Sequence, residues 1–261
     1  HSCGFCAFAK GRSARSLRGP GYLLDLDEIA RRVVEASDRG ATEVCLQGGI
    51  HPSFNGQTYL DIVRTVKVAA PSVHVHAFSP MEVANGASRS GMSLRAWLEA
   101  AQSAALDTIP GTAAEILDDE VRWVLTRGKL PTSTWIDVVT TAHSLGIKSS
   151  STMMYGHVDH PHHWVSHIRL LAQLQDQSGG FTEFVGLPFV HMASPIYLQH
   201  KSRRGPTFRE TVLMHAIARI AYHGLIDNIQ VSWTKIGHAG ARQLLQAGCN
   251  DMGGTLMNEN I

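Results

Sequence analysis

Charge is scarce in this chain and evenly split. Charged residues make up 17% of the 261 positions, with 23 Lys and Arg against 22 Asp and Glu and a net charge of +1. No broad basic surface follows, which argues against nucleic acid and against an anionic membrane as partners. No apolar run reaches the roughly 20 residues that a membrane-spanning helix needs. Cysteine is rare, with four in the chain. That excludes a disulfide scaffold and predicts a reducing, cytoplasmic setting. The opening His1-Ser2-Cys3-Gly4-Phe5-Cys6 has neither an initiator Met nor the pattern of a signal peptide, and both ends read as truncated. Low-complexity stretches and short-period repeats are missing as well.

What is present is an ordinary globular composition, 44% hydrophobic, with enough apolar material for one large core. A length of 261 residues suits a single domain, 1–261, since α/β barrels run to roughly 250 residues as one unit. Leu26, Ile29, Ala30, Val33 and Val34 recur at helical spacing, so residues 26–37 are expected to form a helix. Asp25 and Glu28 fit its N-cap and capping-box partner, and Gly40 its stop. Further helices are predicted near 57–68, after Ser93, near 118–126, 133–145, 161–176, 207–222 and 238–246. Between them lie apolar, strand-like runs near 43–47, 73–78, 106–109, 147–152, 181–185, 228–232 and 249–251. Cys45 and Cys249 fall inside such runs, where a buried free thiol is the expectation. This alternation predicts an α/β fold with a parallel sheet and helical crossovers. Seven strands, with an eighth expected before His1, suggest a (β/α)8 TIM-type barrel whose first strand is missing from this chain. A partial barrel or an open doubly wound sheet is the alternative.

Polar and glycine residues are unevenly placed. Strands are followed by Gly48-Gly49-Ile50-His51-Pro52, Ser79-Pro80-Met81-Glu82, Pro110-Gly111-Thr112, Tyr155-Gly156-His157-Val158-Asp159, Trp233-Thr234-Lys235, and Asp251 with Gly253-Gly254. The turns that lead into strands are plainer, closing on Gly40, Gly146 and Gly248. Barrel enzymes build their sites at the C-terminal ends of the strands, and this asymmetry is what one catalytic face produces.

Cys3-Gly4-Phe5-Cys6 is a C-x-x-C pair. By itself it serves equally as a zinc half-site, a redox pair or an iron–sulfur half-site. A zinc site needs two more ligands, and there is no second C-x-x-C. The whole segment Ser2-Cys3-Gly4-Phe5-Cys6-Ala7-Phe8 resembles the last two-thirds of the radical S-adenosylmethionine signature C-x3-C-x2-C, in which the residue before the last cysteine is usually aromatic, as Phe5 is. That resemblance places the first cysteine two positions before His1. It implies a [4Fe-4S] cluster held by Cys3, Cys6 and that upstream thiolate. One iron is left open for the amino and carboxylate groups of S-adenosyl-L-methionine, whose reductive cleavage yields a 5′-deoxyadenosyl radical.

The resemblance extends along the chain. Thr42 to Pro52, His74 to Glu82, Asp107 to Leu117 and Met154 to His157 are similar to the tyrosine-handling half of the FO synthase family. The family's chemistry is then the expectation. Its adenosyl radical activates L-tyrosine and the Cα–Cβ bond breaks. A 4-hydroxybenzyl group passes to 5-amino-6-(D-ribitylamino)uracil, and a cyclising radical S-adenosylmethionine partner, as a subunit or a fused domain, closes the deazaflavin FO, precursor of coenzyme F-420. A neighbouring family, the aminofutalosine synthases of menaquinone biosynthesis, is the alternative. An inactive fragment lacking one cluster ligand, or a metal-free barrel enzyme, stand behind it.

Site residues follow, each with a plainer alternative. Gly48 and Gly49 form either a tight turn or, as in the family, the backbone that approaches the methionine part of S-adenosylmethionine. Glu82 and Glu115 are either solvated charges or ligands of a ribose hydroxyl or an ammonium group, with Ser79 and Thr112 as hydroxyl partners and Phe5 beside the cofactor. Gly156 lets backbone meet the adenine or ribose. His157, with Tyr155, is the candidate for moving a proton at the tyrosine phenol or amine, because imidazole titrates near neutrality; a structural loop histidine is the alternative. His51, Trp233, Lys235 and Asp251 are candidate contacts for substrate, and Trp233 equally a packing residue. His76 is expected as a satisfied core histidine. In the run Asp159-His160-Pro161-His162-His163, Pro161 fits the first turn of a helix capped by Asp159 or His160, rather than a metal cluster.

Overall fold

A computed structural model describes residues 3–6, 21–254 and 257; the readings that involve His1, Ser2, Ala7 and Phe8 lie outside them. The described chain forms two compact units. The first comprises Gly21–Ala113 with Ser133–Ser149. It contains α1 (Leu26–Asp38), β1 (Glu43–Leu46), α2 (Gly56–Ala69), β2 (His74–Ala77), α3 (Pro80–Arg89), α4 (Leu94–Ser103), β3 (Thr108–Ile109), nearly all of α6 (Thr132–Ser144) and the start of β4 (Lys148–Tyr155). The second holds the cysteine segment, Ala114–Thr132 and the chain from Ser150 onward. It contains α5 (Asp119–Leu125), the rest of β4, α7 (Pro161–Ser178), β5 (Phe181–Pro188), the single turn α8 (Pro195–Leu198), α9 (Phe208–Ala221), β6 (Asn228–Val231) and α10 (Trp233–Gln246).

All sheet pairing is parallel and follows chain order. In the first unit β1 pairs β2 (Cys45 opposite His76), β2 pairs β3 (His76 opposite Thr108), and β3 pairs the first two residues of β4. In the second unit β5 pairs β6, with Phe184 opposite Ile229. Each crossover is helical, as a parallel ladder requires. Asp25 caps α1 as predicted, accepting from the Glu28 amide at 2.8 Å, and Gly40 takes φ 87 past its end, but the reciprocal capping box does not form because the Glu28 carboxylate pairs with Arg31 and Arg32. The first unit is packed around Trp97, Tyr59 and Phe78, whose rings meet edge-on at 4.9–6.4 Å and are nearly inaccessible. Gly56 and Gly86 face the Trp97 indole so closely that a side chain at either would collide with it. The second unit buries Tyr155, Phe184, Tyr222, Ile229 and Leu171.

Three expectations need correction. The seventh strand reduces to one bridge, Gln230 opposite Asp251. Backbone bonds remain there, with the Asn250 amide donating to the Ile229 carbonyl (3.1 Å) and the Val231 amide to the Asp251 carbonyl (2.9 Å), and the Asn250 side chain adds bonds from the Ile229 amide (2.8 Å) and the Arg219 guanidinium (2.6 Å). Cys45 is exposed, while Cys249 is buried as expected. Ser79 to Glu82 is not a loop tail: it opens α3, which the sequence reading lacked.

Candidate functional site

The cysteine loop is held by the end of α5. The Gly4 amide donates to the Thr126 hydroxyl (3.3 Å), and its carbonyl accepts from the Ile196 amide at 2.7 Å. A side chain at position 4 would place Cβ 2.5 Å from the Leu125 carbonyl oxygen, so only glycine fits between the two cysteines there. The Thr126 hydroxyl lies 3.6 Å from Cys3 Sγ. The Cys6 thiol, and after it Thr126 and the Lys129 ammonium, pull the Cys3 thiol down to about 6 against the opposing effect of burial. Two converging sulfurs, one poised as thiolate, suit a soft iron–sulfur centre. Among the described residues no group of three or more His, Cys, Asp or Glu could hold a metal ion, so the cysteine pair is what these residues offer.

Beside this loop, Lys129 Nζ lies 2.9 Å from Glu115 Oε1 and 5.3 Å from the Phe5 ring centre. Glu115 follows β3 at φ 44, with Ala113 at φ 59, in the left-handed region that L residues seldom adopt. The segment is clamped: Met154 donates to the Glu115 carbonyl (2.9 Å), and the buried Arg122 donates to the carbonyls of Ala114 and Leu130.

In the first unit the glycine loop has its own anchor. Glu82 is 2% exposed and accepts from the Gly48 amide (2.9 Å), the Ser79 amide (2.9 Å) and the Ser79 hydroxyl (2.7 Å). Ser79 is the N-cap and Glu82 the third residue of α3, a reciprocal capping box with Pro80 in the first turn. The S-x-x-E spacing with proline after the serine was legible as a helix start. Burial pushes the Glu82 carboxyl up, while its three donors pull it down. Thr112 donates to Gln47 Oε1 at 2.7 Å, tying the loop after β3 to the end of β1. His51 stays local, with Nδ1 2.7 Å from Ser53 Oγ. Gly48 and Gly49 are exposed, and the Gly48 amide is already committed to Glu82.

In the second unit Tyr155 and His157 are fully buried. Tyr155 packs edge-on against Trp164 at 5.5 Å. His157 Nε2 donates to the Met154 carbonyl (2.9 Å), Nδ1 accepts from the Val158 amide (2.8 Å), and burial lowers its pKa. Asp159 organises the turn, accepting from the amides of Gly156 (2.9 Å) and His157 (2.6 Å) and from the Trp164 indole. Gly156 has φ 91, and a side chain there would run into Pro206. His160 caps α7 and Pro161 opens it, as expected. Trp233 begins α10 and stacks on His238 at 5.3 Å, with Lys235 the third residue of the helix, before the break at Gly237. The Asp251 carboxylate is occupied by the Gly253 amide (2.7 Å). Sequence reasoning missed Thr126 and Lys129, whose link to the cysteine loop spans more than 100 positions of chain, and Arg122, which clamps the Glu115 segment beside it.

Comparison with known proteins agrees with this geometry. The family model described as Radical SAM superfamily matches residues 1–171, and that of the CofH/MqnC C-terminal region matches residues 178–261. The chain is 60% identical to the FO synthase of Streptomyces avermitilis over 259 residues, and 58% to that of Mycobacterium tuberculosis. It spans 99% of itself but only about 30% of the length of those relatives. It is 45% identical to the 5-amino-6-(D-ribitylamino)uracil--L-tyrosine 4-hydroxyphenyl transferase of Methanothermobacter thermautotrophicus, covering 70% of that protein. Among solved structures, methylornithine synthase (PylB) matches with a TM-score of 0.67 at 15% identity, over 88% of this chain and 62% of that one. This likeness shows the fold, a partial (β/α) barrel of the TIM type. The chain therefore belongs to the radical S-adenosylmethionine superfamily.

Proposed function

We propose that this chain carries the tyrosine-cleaving step of deazaflavin biosynthesis: transfer of a 4-hydroxybenzyl group from L-tyrosine to 5-amino-6-(D-ribitylamino)uracil, giving the adduct that a cyclising radical partner converts to FO. The observation that carries the reading is the cysteine loop, clamped by Thr126 and Gly4, in a chain that covers 70% of a relative bearing that name.

Cys3 and Cys6, with a third thiolate upstream of His1, would hold a [4Fe-4S] cluster. When bound, cluster and S-adenosyl-L-methionine supply a one-electron route to an adenosyl radical able to take hydrogen from an unactivated bond. The remaining work falls to the chain's own residues. Glu82 and Ser79 set the Gly48–Gly49 backbone, whose open carbonyls and lack of side chains suit close approach by the methionine part of the cofactor. Glu115 and Thr112 are placed after β3, where they suit a ribose or ammonium ligand. Tyr155 and His157 act by holding the Gly156 turn, since both are sealed from solvent and proton transfer at the substrate needs direct reach. Trp233, Lys235, Asp251 and His51 are the proposed contacts for the uracil, its ribityl hydroxyls and tyrosine. The four cysteines form no disulfide and no helix among the described residues is long and apolar enough to cross a membrane, which support a cytoplasmic setting.

The test is anaerobic reconstitution of the chain extended upstream through the third cysteine. Visible iron–sulfur absorbance, 5′-deoxyadenosine formation, and a 4-hydroxybenzyl adduct of the diaminouracil by mass spectrometry are expected. A protein that takes up no cluster sinks the radical reading. Turnover of an enolpyruvyl-benzoate ether in place of tyrosine assigns the chain to the aminofutalosine branch instead.

A further inference from the structure

Lys129 is used by nothing in the function described so far, yet the fold invests heavily in its position. Its Nζ lies 5.3 Å from the centre of the Phe5 ring, the residue that separates Gly4 from Cys6 in the cysteine loop. Its side chain is only 10% exposed, and its ammonium is pinned 2.9 Å from Glu115 Oε1. Glu115 is buried too, and its other oxygen lies 3.9 Å from the guanidinium of the buried Arg122. One carboxylate is thus shared between two cations, and Arg122 also reaches the more exposed Asp119 at 3.8 Å, which leaves the Lys129 ammonium as the cation nearest the Phe5 ring of the cysteine loop. Glu115 and Ala113 keep left-handed backbone conformations in the loop that presents the carboxylate, and strain of this kind persists only where the surrounding structure enforces it.

The neighbourhood explains why a positive charge belongs there. The Leu125 carbonyl at the end of α5 packs against Gly4, and helix C-termini carry partial negative charge. The cysteine thiolates add charge of the same sign. A cluster bound to them becomes more negative still on reduction, so a fixed ammonium in a poorly solvated position favours the reduced form.

We propose that Lys129, held in place by Glu115, is the electrostatic positioning residue of the cysteine loop and raises the reduction potential of the cluster bound at Cys3 and Cys6. This rests on the radical reading above. Lys129 does not ligate iron; it acts through its charge.

The test uses the chain extended upstream through the third cysteine, reconstituted anaerobically, with the midpoint potential followed by electron paramagnetic resonance in the absence of substrate. The expected result for Lys129→Met is iron and sulfide content equal to the parent protein with a midpoint shifted to lower potential. Lys129→Arg restores the parent midpoint. Glu115→Gln, which keeps an acceptor for the ammonium but removes the opposing charge, shifts the midpoint upward. A Lys129→Met protein with the parent's midpoint overturns the proposal, as does a Lys129→Arg midpoint as low as that of Lys129→Met, which would make shape the cause. A Lys129→Met protein that takes up no cluster overturns it too, in favour of a role in assembly. Failure of the parent protein itself to take up a cluster refutes the functional reading instead, so the two failures are distinct.

Discussion

His167 on α7 provides a test of the fold that needs no cofactor. The side chain is fully buried. Its Nδ1 accepts from the Leu117 amide at 3.0 Å, and its Nε2 donates to the Thr152 carbonyl at 3.1 Å. The neutral ring with its proton on Nε2 satisfies both partners and joins α7, β4 and the segment before α5. A second proton on Nδ1 would face the Leu117 N–H. Burial accordingly pushes the His167 pKa down to about 3. In the unfolded chain the ring titrates near 6.5. The folded value is depressed, so the unfolded state binds more protons throughout the interval between them. Stability is therefore full above about pH 6.5 and falls as the pH drops toward 3. At 1.36 kcal/mol per pH unit, the loss from this one group is about 2 kcal/mol at pH 5 and about 3 kcal/mol at pH 4. Urea unfolding of the cluster-free chain at pH 7 and pH 5, beside a His167→Gln variant, measures it. The variant is less stable at pH 7, where it loses the fitted ring, but the gap closes by about 2 kcal/mol at pH 5 because glutamine does not titrate. His76 and His143, both pushed by burial down to about 4, titrate alike in the two proteins and cancel. A gap independent of pH would refute the assignment of a neutral, double-bonded His167.

Other perturbations reach the functional loops. Gly156→Ala forces a Cβ into Pro206 at φ 91 and should cost about 3 kcal/mol in chemical unfolding; a variant as stable as the parent would show that the turn relaxes freely. Glu82→Gln turns one acceptor into a donor facing an amide of Gly48 or Ser79. It is expected to lose about 1–3 kcal/mol of stability and to weaken S-adenosylmethionine binding measured calorimetrically, and unchanged affinity would separate the Gly48 loop from the cofactor. Arg122→Met leaves Glu115 with Lys129 alone and the Ala114 and Leu130 carbonyls without their donor. A loss of about 3 kcal/mol is expected, and a thermal midpoint equal to the parent's would contradict it.

Much of the framework was readable because its causes are local. Apolar spacing and caps such as Asp25 before α1 and Pro161 at the head of α7 act within one turn of helix, so a single chain displays them. α3 was as legible in principle, since Ser79-Pro80-Met81-Glu82 is a capping box with a leading proline. Its polar residues were instead read as a strand's catalytic tail. The last strand was overestimated because its extent depends on its pairing with β6, which a short apolar run does not display; the pairing comes to one bridge, Gln230 opposite Asp251.

The sequence by itself determined the alternation of strand and helix and the cysteine pair, because each is written in spacings of a few residues, while the superfamily was legible through the resemblance of longer runs. Only the tertiary structure decided what surrounds that pair. Thr126 and Lys129 come to the cysteine loop from more than 100 positions away, with Glu115 and Arg122 pairing behind Lys129, and Glu82 reaches Gly48 across 34. It also decided that Tyr155 and His157 are sealed while Gly48 and Gly49 are open. Burial and hydrogen-bond partners belong to the packed chain rather than to any residue type, so no reading of neighbours in sequence supplies them.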